Sequence, residues 1–407
     1  MEIDPEGAGL DPAQLARIDE HLQSRYVDAG KIAGCEVAVV RHGRLAHRRR
    51  LGFQDRERET PVRDDALWRW YSMTKPVTGV ALLTLYERGV FQLTDPVGRW
   101  IPELADLKVR VKDADGNRSL EPAQPITVRD AMMHMTGIGF GPEGMRLDLQ
   151  NLGSGAPASR LGRGATLQTL MEGLGTEPLR FQPGTRWLYS WSTDVCARLV
   201  EAMSGLRFDE YLRANVFGPL GMHDTGFWVQ EPELPRLTAL YTRSADKSLR
   251  LLDDPGRSSL RHEATFLSGG GGLVGTTDDY LRFARMLLGR GELDGVRVLG
   301  SRTVDLMATN HLPGGGDLRQ FVLPGGYGET GFDGTGFGLT VAVNKGPAET
   351  GVIGSPGEFL WGGAASTIFW VDPVEDLTCV FMTQLIPSGT FNFRGQLKAL
   401  LYPAIRD

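Results

Sequence analysis

Segments of strand character stand near both ends of this 407-residue chain, and helical patterns fill its middle. Cys35 to Val40 is rich in β-formers, His42-Gly43 marks a turn, and a second strand is expected from about Arg44 to Gly52. Towards the other end, Gly338 to Val343, Ser366 to Val371 and Leu377 to Met382 read as strands. Asp372-Pro373 and Glu375-Asp376 turn the chain between the last two. Helices bracket both groups. Asp11 is an N-cap ahead of Pro12, and Leu15, Ile18 and Leu22 share one face of a helix running to about Val27; another covers about Asn392 to Leu401. Strands joined by short turns pair antiparallel, so one sheet built from both chain ends, with helices on its faces, is the expected frame.

Between these ends the pattern changes. Thr94-Asp95-Pro96-Val97 opens a short helix, and Val109–Val111 and Ser119–Glu121 flank a hairpin turn at Asp113-Ala114-Asp115-Gly116. Thr127 caps a helix ending at Thr136-Gly137. The stretch from Gly153 to Gly164 reads as a loop near a cleft. Ser192-Thr193-Asp194 leads a helix with Val195, Leu199 and Val200 on its buried side, closed by Gly205. The class is therefore α/β (α+β): residues 1–85 and 265–407 form the sheet unit, 86–264 a mostly helical one, and a site is expected in the cleft between them. Neither internal repeats nor coiled-coil heptads occur, and the residues carry no signal for oligomeric state.

Several function classes drop out. A net charge of −6 argues against a nucleic-acid partner. No apolar run approaches the ~18 residues of a membrane span, and the acidic, Gly-rich start from Met1 to Leu10 does not read as a signal peptide. Cys35, Cys196 and Cys379 are odd in number and far apart, which fits buried thiols in a reducing cytoplasm. The seven histidines show no metal-site spacing, so no metal is expected. Gly270 to Gly275 matches G-x-G-x-x-G, but no strand precedes it and no βαβ units surround it, so a dinucleotide cofactor is not expected. The glycines from Gly269 to Gly272 read instead as a close-packed turn before a helix over Asp278 to Leu288. No serine stands in a G-x-S-x-G elbow.

Chemistry concentrates at Ser72-Met73-Thr74-Lys75, which opens the apolar helical run Val77 to Leu85. Residues three apart share a helix face, so Lys75 can take the Ser72 proton once burial or another cation lowers its own pKa. Pro76 has no N–H for the Ser72 carbonyl, which puts the serine at the helix mouth, where free N–H groups favour negative charge. Tyr189, within Arg186-Trp187-Leu188-Tyr189-Ser190-Trp191, can relay protons or serve as a core aromatic. In Phe359-Leu360-Trp361-Gly362-Gly363-Ala364-Ala365 the glycines form either a bulge or a strand that a ligand can approach, with the N–H groups of Ala364 and Ser72 as an oxyanion hole.

Taken together and in order, Ser72-x-x-Lys75, Tyr189-Ser190-Trp191 and Trp361-Gly362-Gly363 resemble the serine β-lactamase and penicillin-binding-protein group, and within it the family VIII carboxylesterases. His134-Met135-Thr136-Gly137 and Gly336-Phe337-Gly338-Leu339 resemble its flanking segments, and His134 is structural in that pattern. The likeness runs from about Leu10 to Leu401. It implies a β-lactamase/transpeptidase-like fold and cofactor-free ester hydrolysis of a small-molecule substrate. The implied catalytic residues are Ser72, Lys75 and Tyr189, the oxyanion hole Ser72 and Ala364, and the substrate contacts Trp361, Gly362, Gly363 and Trp191. Class C β-lactamases carry Tyr-x-Asn and Lys-Thr-Gly; here Trp191 and Trp361 replace the Asn and the Lys. Loss of the cation implies neutral esters over anionic β-lactams. An acyltransferase branch and weak β-lactamase activity are the alternatives within the group, and a non-catalytic penicillin-binding-like module the alternative outside it.

Overall fold

Strand β1 (Gly34–Arg41) has every residue buried. Side chains alternate between faces along a strand, so both faces of the sheet are covered at this point. The computed structural model describes residues 1–112, 117–139 and 164–406. Among them, β1, β2 (Arg44–Asp55), β3 (Thr60–Pro61), β4 (Thr335–Phe337), β5 (Ala342–Asn344), β6 (Phe359–Gly362), β7 (Ile368–Asp372) and β8 (Leu377–Thr383) form one sheet in the order β4-β5-β6-β7-β8-β1-β2-β3. Each pairing in it is antiparallel. The first and last strand groups meet at β1 and β8, in register from Cys35–Thr383 to Arg41–Leu377. The expected sheet built from both chain ends is thus what forms.

Five helices position the rest: α1 (Pro12–Leu22), α2 (Thr74–Glu87), α3 (Ser192–Ser204), α4 (Thr277–Leu288) and α5 (Phe393–Leu401). Asp11 caps α1 by accepting from Ala13 N and Gln14 N, after which the helix widens into a π turn over Gln23–Val27. Asn392 caps α5 through Gly395 N. Helix α4 packs on β1, β7 and β8, while α1 packs on α5 and β2. Helix α2 is buried from Thr74 to Leu85, as an all-round apolar helix should be, and lies along α3. Gly79 lets it approach Thr340, whose side chain occupies the place a Cβ would take.

One expected strand divides. Gly338 to Val343 is not continuous: the chain turns at Gly338–Thr340 between β4 and β5, with Gly338 N donating to Val341 O at 2.8 Å and Thr340 at φ 68°. The helix after Thr127 is shorter than expected, Val128–Met132, and the one at Val97 is a single 3-10 turn to Arg99. Hairpin strands Lys108–Lys112 and Arg118–Pro122 pair antiparallel; the turn at Asp113–Gly116 and all but the last residue of the Gly153–Gly164 loop lie outside the described residues. Within 86–264, Leu240–Arg243 and Leu249–Asp253 pair as strands, and the former runs parallel to Leu385–Ile386. The three cysteines are free and buried.

The C-terminal helix is fastened to the sheet by buried charge. Lys398 pairs with Glu358, and Tyr402 Oη reaches both Glu358 Oε2 (2.8 Å) and Asp372 Oδ2 (2.7 Å). Lys398 is 2% and Glu358 0% exposed. Burial raises the Glu358 pKa and lowers that of Lys398, so each depends on the other to stay charged. Lys398→Met should cost about 3–5 kcal/mol in denaturant unfolding near neutral pH, because it strands a buried carboxylate. The unpaired Glu358 would then titrate higher in the folded than in the unfolded chain. The deficit should therefore shrink on acidification through that folded pKa. A deficit that does not change with pH would mean lost packing, not a stranded charge.

Candidate active site

Ser72 sits in a single 3-10 turn, Tyr71–Met73, that runs straight into α2. Pro76 falls in the first helical turn, where a missing N–H costs nothing. The turn is held from three sides. Trp70 Nε1 donates to Gly275 O at 3.2 Å, Tyr280 Oη donates to Met73 O at 3.0 Å, and Thr367 Oγ1 donates to Trp70 O at 3.2 Å. Tyr71 is held at φ 48°, a conformation that L side chains rarely adopt, immediately before the serine.

One turn on, Lys75 Nζ lies 3.2 Å from Ser72 Oγ and donates to Gly270 O at 2.6 Å. Its amine also stands over the Tyr189 ring, 4.4 Å from the centroid. Burial brings the lysine pKa down to about 8, while the charges of Asp194 and Glu329 pull the other way. Asp194, on α3, does not touch the amine. Its Oδ1 accepts from Ser268 Oγ at 2.7 Å and Gly270 N at 3.2 Å, which aims the Gly270 carbonyl at Lys75. The glycine stretch is close-packed as expected, since a Cβ on Gly269 would meet Ala197 at 2.6 Å and one on Gly270 would meet Asp194 at 2.7 Å. It also supplies the lysine's acceptor, which the sequence reading missed because a backbone carbonyl has no side-chain signature.

Tyr189 is 6% exposed. Aromatic rings surround it: His134 at 4.8 Å, Trp361 at 5.6 Å, and Trp187 and Tyr327 at 5.9 Å between centroids, Trp187 being stacked. Burial, reinforced by Glu329, pushes the phenol pKa well above its ordinary value, although Ser72 and Trp361 pull it down. Neither of those two makes a well-formed hydrogen bond to the phenol, and Tyr189 Oη is left unpartnered. The His134 ring is engaged with the backbone and a hydroxyl: its Nδ1 accepts from Ser190 N at 3.4 Å and its Nε2 meets Thr193 Oγ1 at 3.3 Å, and burial holds its pKa well below the usual imidazole value. Glu329 was not anticipated. It is 8% exposed and accepts from Tyr327 Oη at 2.7 Å.

Strand β6 packs on the Ser72 turn, and the chain continues through Gly363 to Ala364. Among the described residues the Ser72 and Ala364 amides donate to no carbonyl or side chain, so both are free to hold an oxyanion. Gly363 lies directly on the Trp70 carbonyl, where a Cβ would collide with that oxygen and with Thr367 Oγ1. Gly362 faces Arg394, whose Nη2 donates to Trp361 O at 3.2 Å. A cavity of about 260 Å³, lined among others by Tyr327, Glu329, Thr367, Ser388 and Arg394, opens at the start of β7. Trp191 is 8% exposed and meets Phe266 edge-on. Trp361 departs from the expectation. Its indole has no exposed surface and packs between Tyr189 and Phe337, so it stands behind the tyrosine and not against open space. Among the described residues no cluster of three or more His, Cys, Asp or Glu side chains could hold a metal ion.

Gly363→Ala should push the Ala364 amide away from Ser72. If the Ala364 amide is an oxyanion donor, the expected result is a fall in kcat of about 10-fold to 10²-fold with little change in KM, measured on a p-nitrophenyl ester. Unchanged kcat would mean that Ala364 is not part of the hole.

The chain is similar to known proteins over nearly its whole length. The Beta-lactamase family model matches residues 19–401. An uncharacterised protein of Mycobacterium tuberculosis is 34% identical, with 88% of each chain covered. Esterase EstB of Burkholderia gladioli is 30% identical, with 95% of each covered. The solved structure of EstCE1, described as a hydrolase with promiscuous acyltransferase activity, superposes with a TM-score of 0.78 at 24% identity, covering 96% of this chain and 99% of that one. The chain belongs to the Beta-lactamase family.

Proposed function

We propose that this protein is a serine carboxylesterase that cleaves small, neutral carboxylic esters through an acyl-enzyme on Ser72. The observation that carries the reading is the 3.2 Å contact between Ser72 Oγ and a buried amine with a pKa of about 8. That amine is neutral often enough near pH 7 to accept the serine proton. Ser72 Oγ adds to the ester carbonyl carbon as its proton passes to Lys75, and the Ser72 and Ala364 N–H groups hold the oxyanion. The bond to the alcohol oxygen then breaks, and the alcohol leaves with the proton of the Tyr189 phenol. Lys75 returns its proton to Tyr189, and water then adds to the acyl-enzyme and releases the acid. The raised phenol pKa favours Lys75 as the base and Tyr189 as the acid. We place the site in the cleft between the sheet unit (1–85, 265–407) and the 86–264 unit, and the protein in the cytoplasm, where three buried free thiols are at home. Acyl transfer to an alcohol in place of water is the second reading, favoured by the activity named for EstCE1. Contact between Ser72 and Lys75 disfavours a non-catalytic module.

The test is a panel of p-nitrophenyl esters from acetate to long chains, with a cephalosporin alongside. Turnover should be fastest on short neutral esters and poor on the cephalosporin, and Ser72→Ala should abolish it with the fold intact. Full activity in that variant would refute the nucleophile. The pH profile is a separate check. Lys75 must be neutral to act, so kcat/KM should rise with pH, level off above about 8, and fall about tenfold per unit below that value. A flat profile from about pH 6 to about pH 9 would exclude it as the base.

A further inference from the structure

Two rings in contact in the site each carry a buried polar atom without a hydrogen-bond partner. Tyr189 Oη and Trp361 Nε1 both lack a hydrogen-bond partner, although their rings stand 5.6 Å apart at 51°. Trp361 has no exposed surface, so water does not reach its N–H from outside. A buried donor left unpaired is costly, and such a group in a native site needs a reason. Trp68, Trp187 and Trp370 also carry unpartnered indole nitrogens. Only Trp361 among these is a source of hydrogen-bond pull on the Tyr189 phenol. Its ring is gripped by Phe337 edge-on at 5.4 Å, and its carbonyl by Arg394 at 3.2 Å, so the N–H cannot readily turn elsewhere.

We propose that Trp361 is a positioning residue whose indole N–H closes onto Tyr189 Oη as the phenol gives its proton to the departing alcohol. This rests on the role given to Tyr189 above. When that O–H bond breaks, negative charge collects on Oη inside an aromatic cage. The protonated Lys75 amine stabilises it from the ring face, and the indole N–H from the edge. Hydrogen bonds of this kind are often long in a resting site and shorten only when charge develops. The indole adds a donor without adding charge, so the resting phenol stays protonated.

The role predicts a dependence on the leaving group. An alkyl ester needs a proton on its departing oxygen, whereas a p-nitrophenyl ester does not. Trp361→Phe should lower kcat on ethyl butyrate about tenfold or more with KM nearly unchanged, and leave p-nitrophenyl butyrate within about twofold. Benzothienylalanine introduced at 361 keeps the shape of indole without its N–H. It should give the same split even if the phenylalanine variant folds poorly. Tyr189→Phe is the reference: it should show the split more strongly, and the double variant Tyr189→Phe/Trp361→Phe should be no slower than Tyr189→Phe alone. Equal losses on both esters, or none on either, in the position-361 variants would overturn the proposal. If Tyr189→Phe itself shows no split, the acid role of Tyr189 fails first, and the assignment of Trp361 fails with it.

Discussion

An amine with no carboxylate in contact among the described residues is the condition on which the proposed site depends. Lys75 is buried, yet its partners are a carbonyl, a hydroxyl and an aromatic face. A carboxylate against the amine would hold it as ammonium and deny Ser72 the base proposed for it. The two nearby acids are engaged elsewhere. Asp194 binds Ser268 and the Gly270 amide, and Glu329 binds Tyr327. Burial raises both their pKa values, which weakens their hold on the lysine. Desolvation therefore outweighs attraction, and the lysine pKa comes down to about 8.

Keeping Lys75 in that state requires a rigid surround, which the fold assembles from distant parts of the chain. Helix α2 is buried and cannot tilt freely. The glycine turn is pinned to it by Thr78 Oγ1 donating to Gly269 O at 2.8 Å and by Leu273 N donating to Thr74 Oγ1 at 3.1 Å. Strand β6 arrives from almost three hundred residues away and rests on Trp70 through Gly363. The strained backbones at Tyr71 and His134 lie in the same region, where surrounding contacts compensate for them.

Local signals made much of this legible. Asp11-Pro12 and Asn392 mark helix starts because capping is chemistry between near neighbours, and β1 and β2 follow from residue type and one turn. Gly338 to Val343 was misread because a strand pattern of small and β-branched residues looks alike whether or not it turns; the close approach of Gly338 to the Met307 carbonyl decides it, and that is tertiary information. Ser72, Lys75 and Tyr189 were found as side chains, and the structure brings them together. The Gly270 carbonyl and the aim given to it by Asp194 were not found, because they depend on which backbone atom faces inward. Glu329 lay in a segment without periodicity. Trp361 was identified by type, but sequence does not say whether an indole faces substrate or the back of a neighbouring ring.

That placement bears on how labour is divided in the proposed reaction. A cation at position 361 would stand beside Tyr189 and draw its phenol towards phenolate, making the tyrosine a competing base. An indole at the same place excludes water and offers one uncharged donor. With Glu329 repelling negative charge from the phenol, Tyr189 holds its proton more tightly while burial makes Lys75 give up its own more readily. Two titratable groups pushed in opposite directions within one enclosure give an acid and a base at the same pH. Substitution of a neutral aromatic for a cation therefore does more than alter the charge a substrate meets. In the proposed reaction it would set which of the two side chains takes the serine proton and which supplies one to the alcohol.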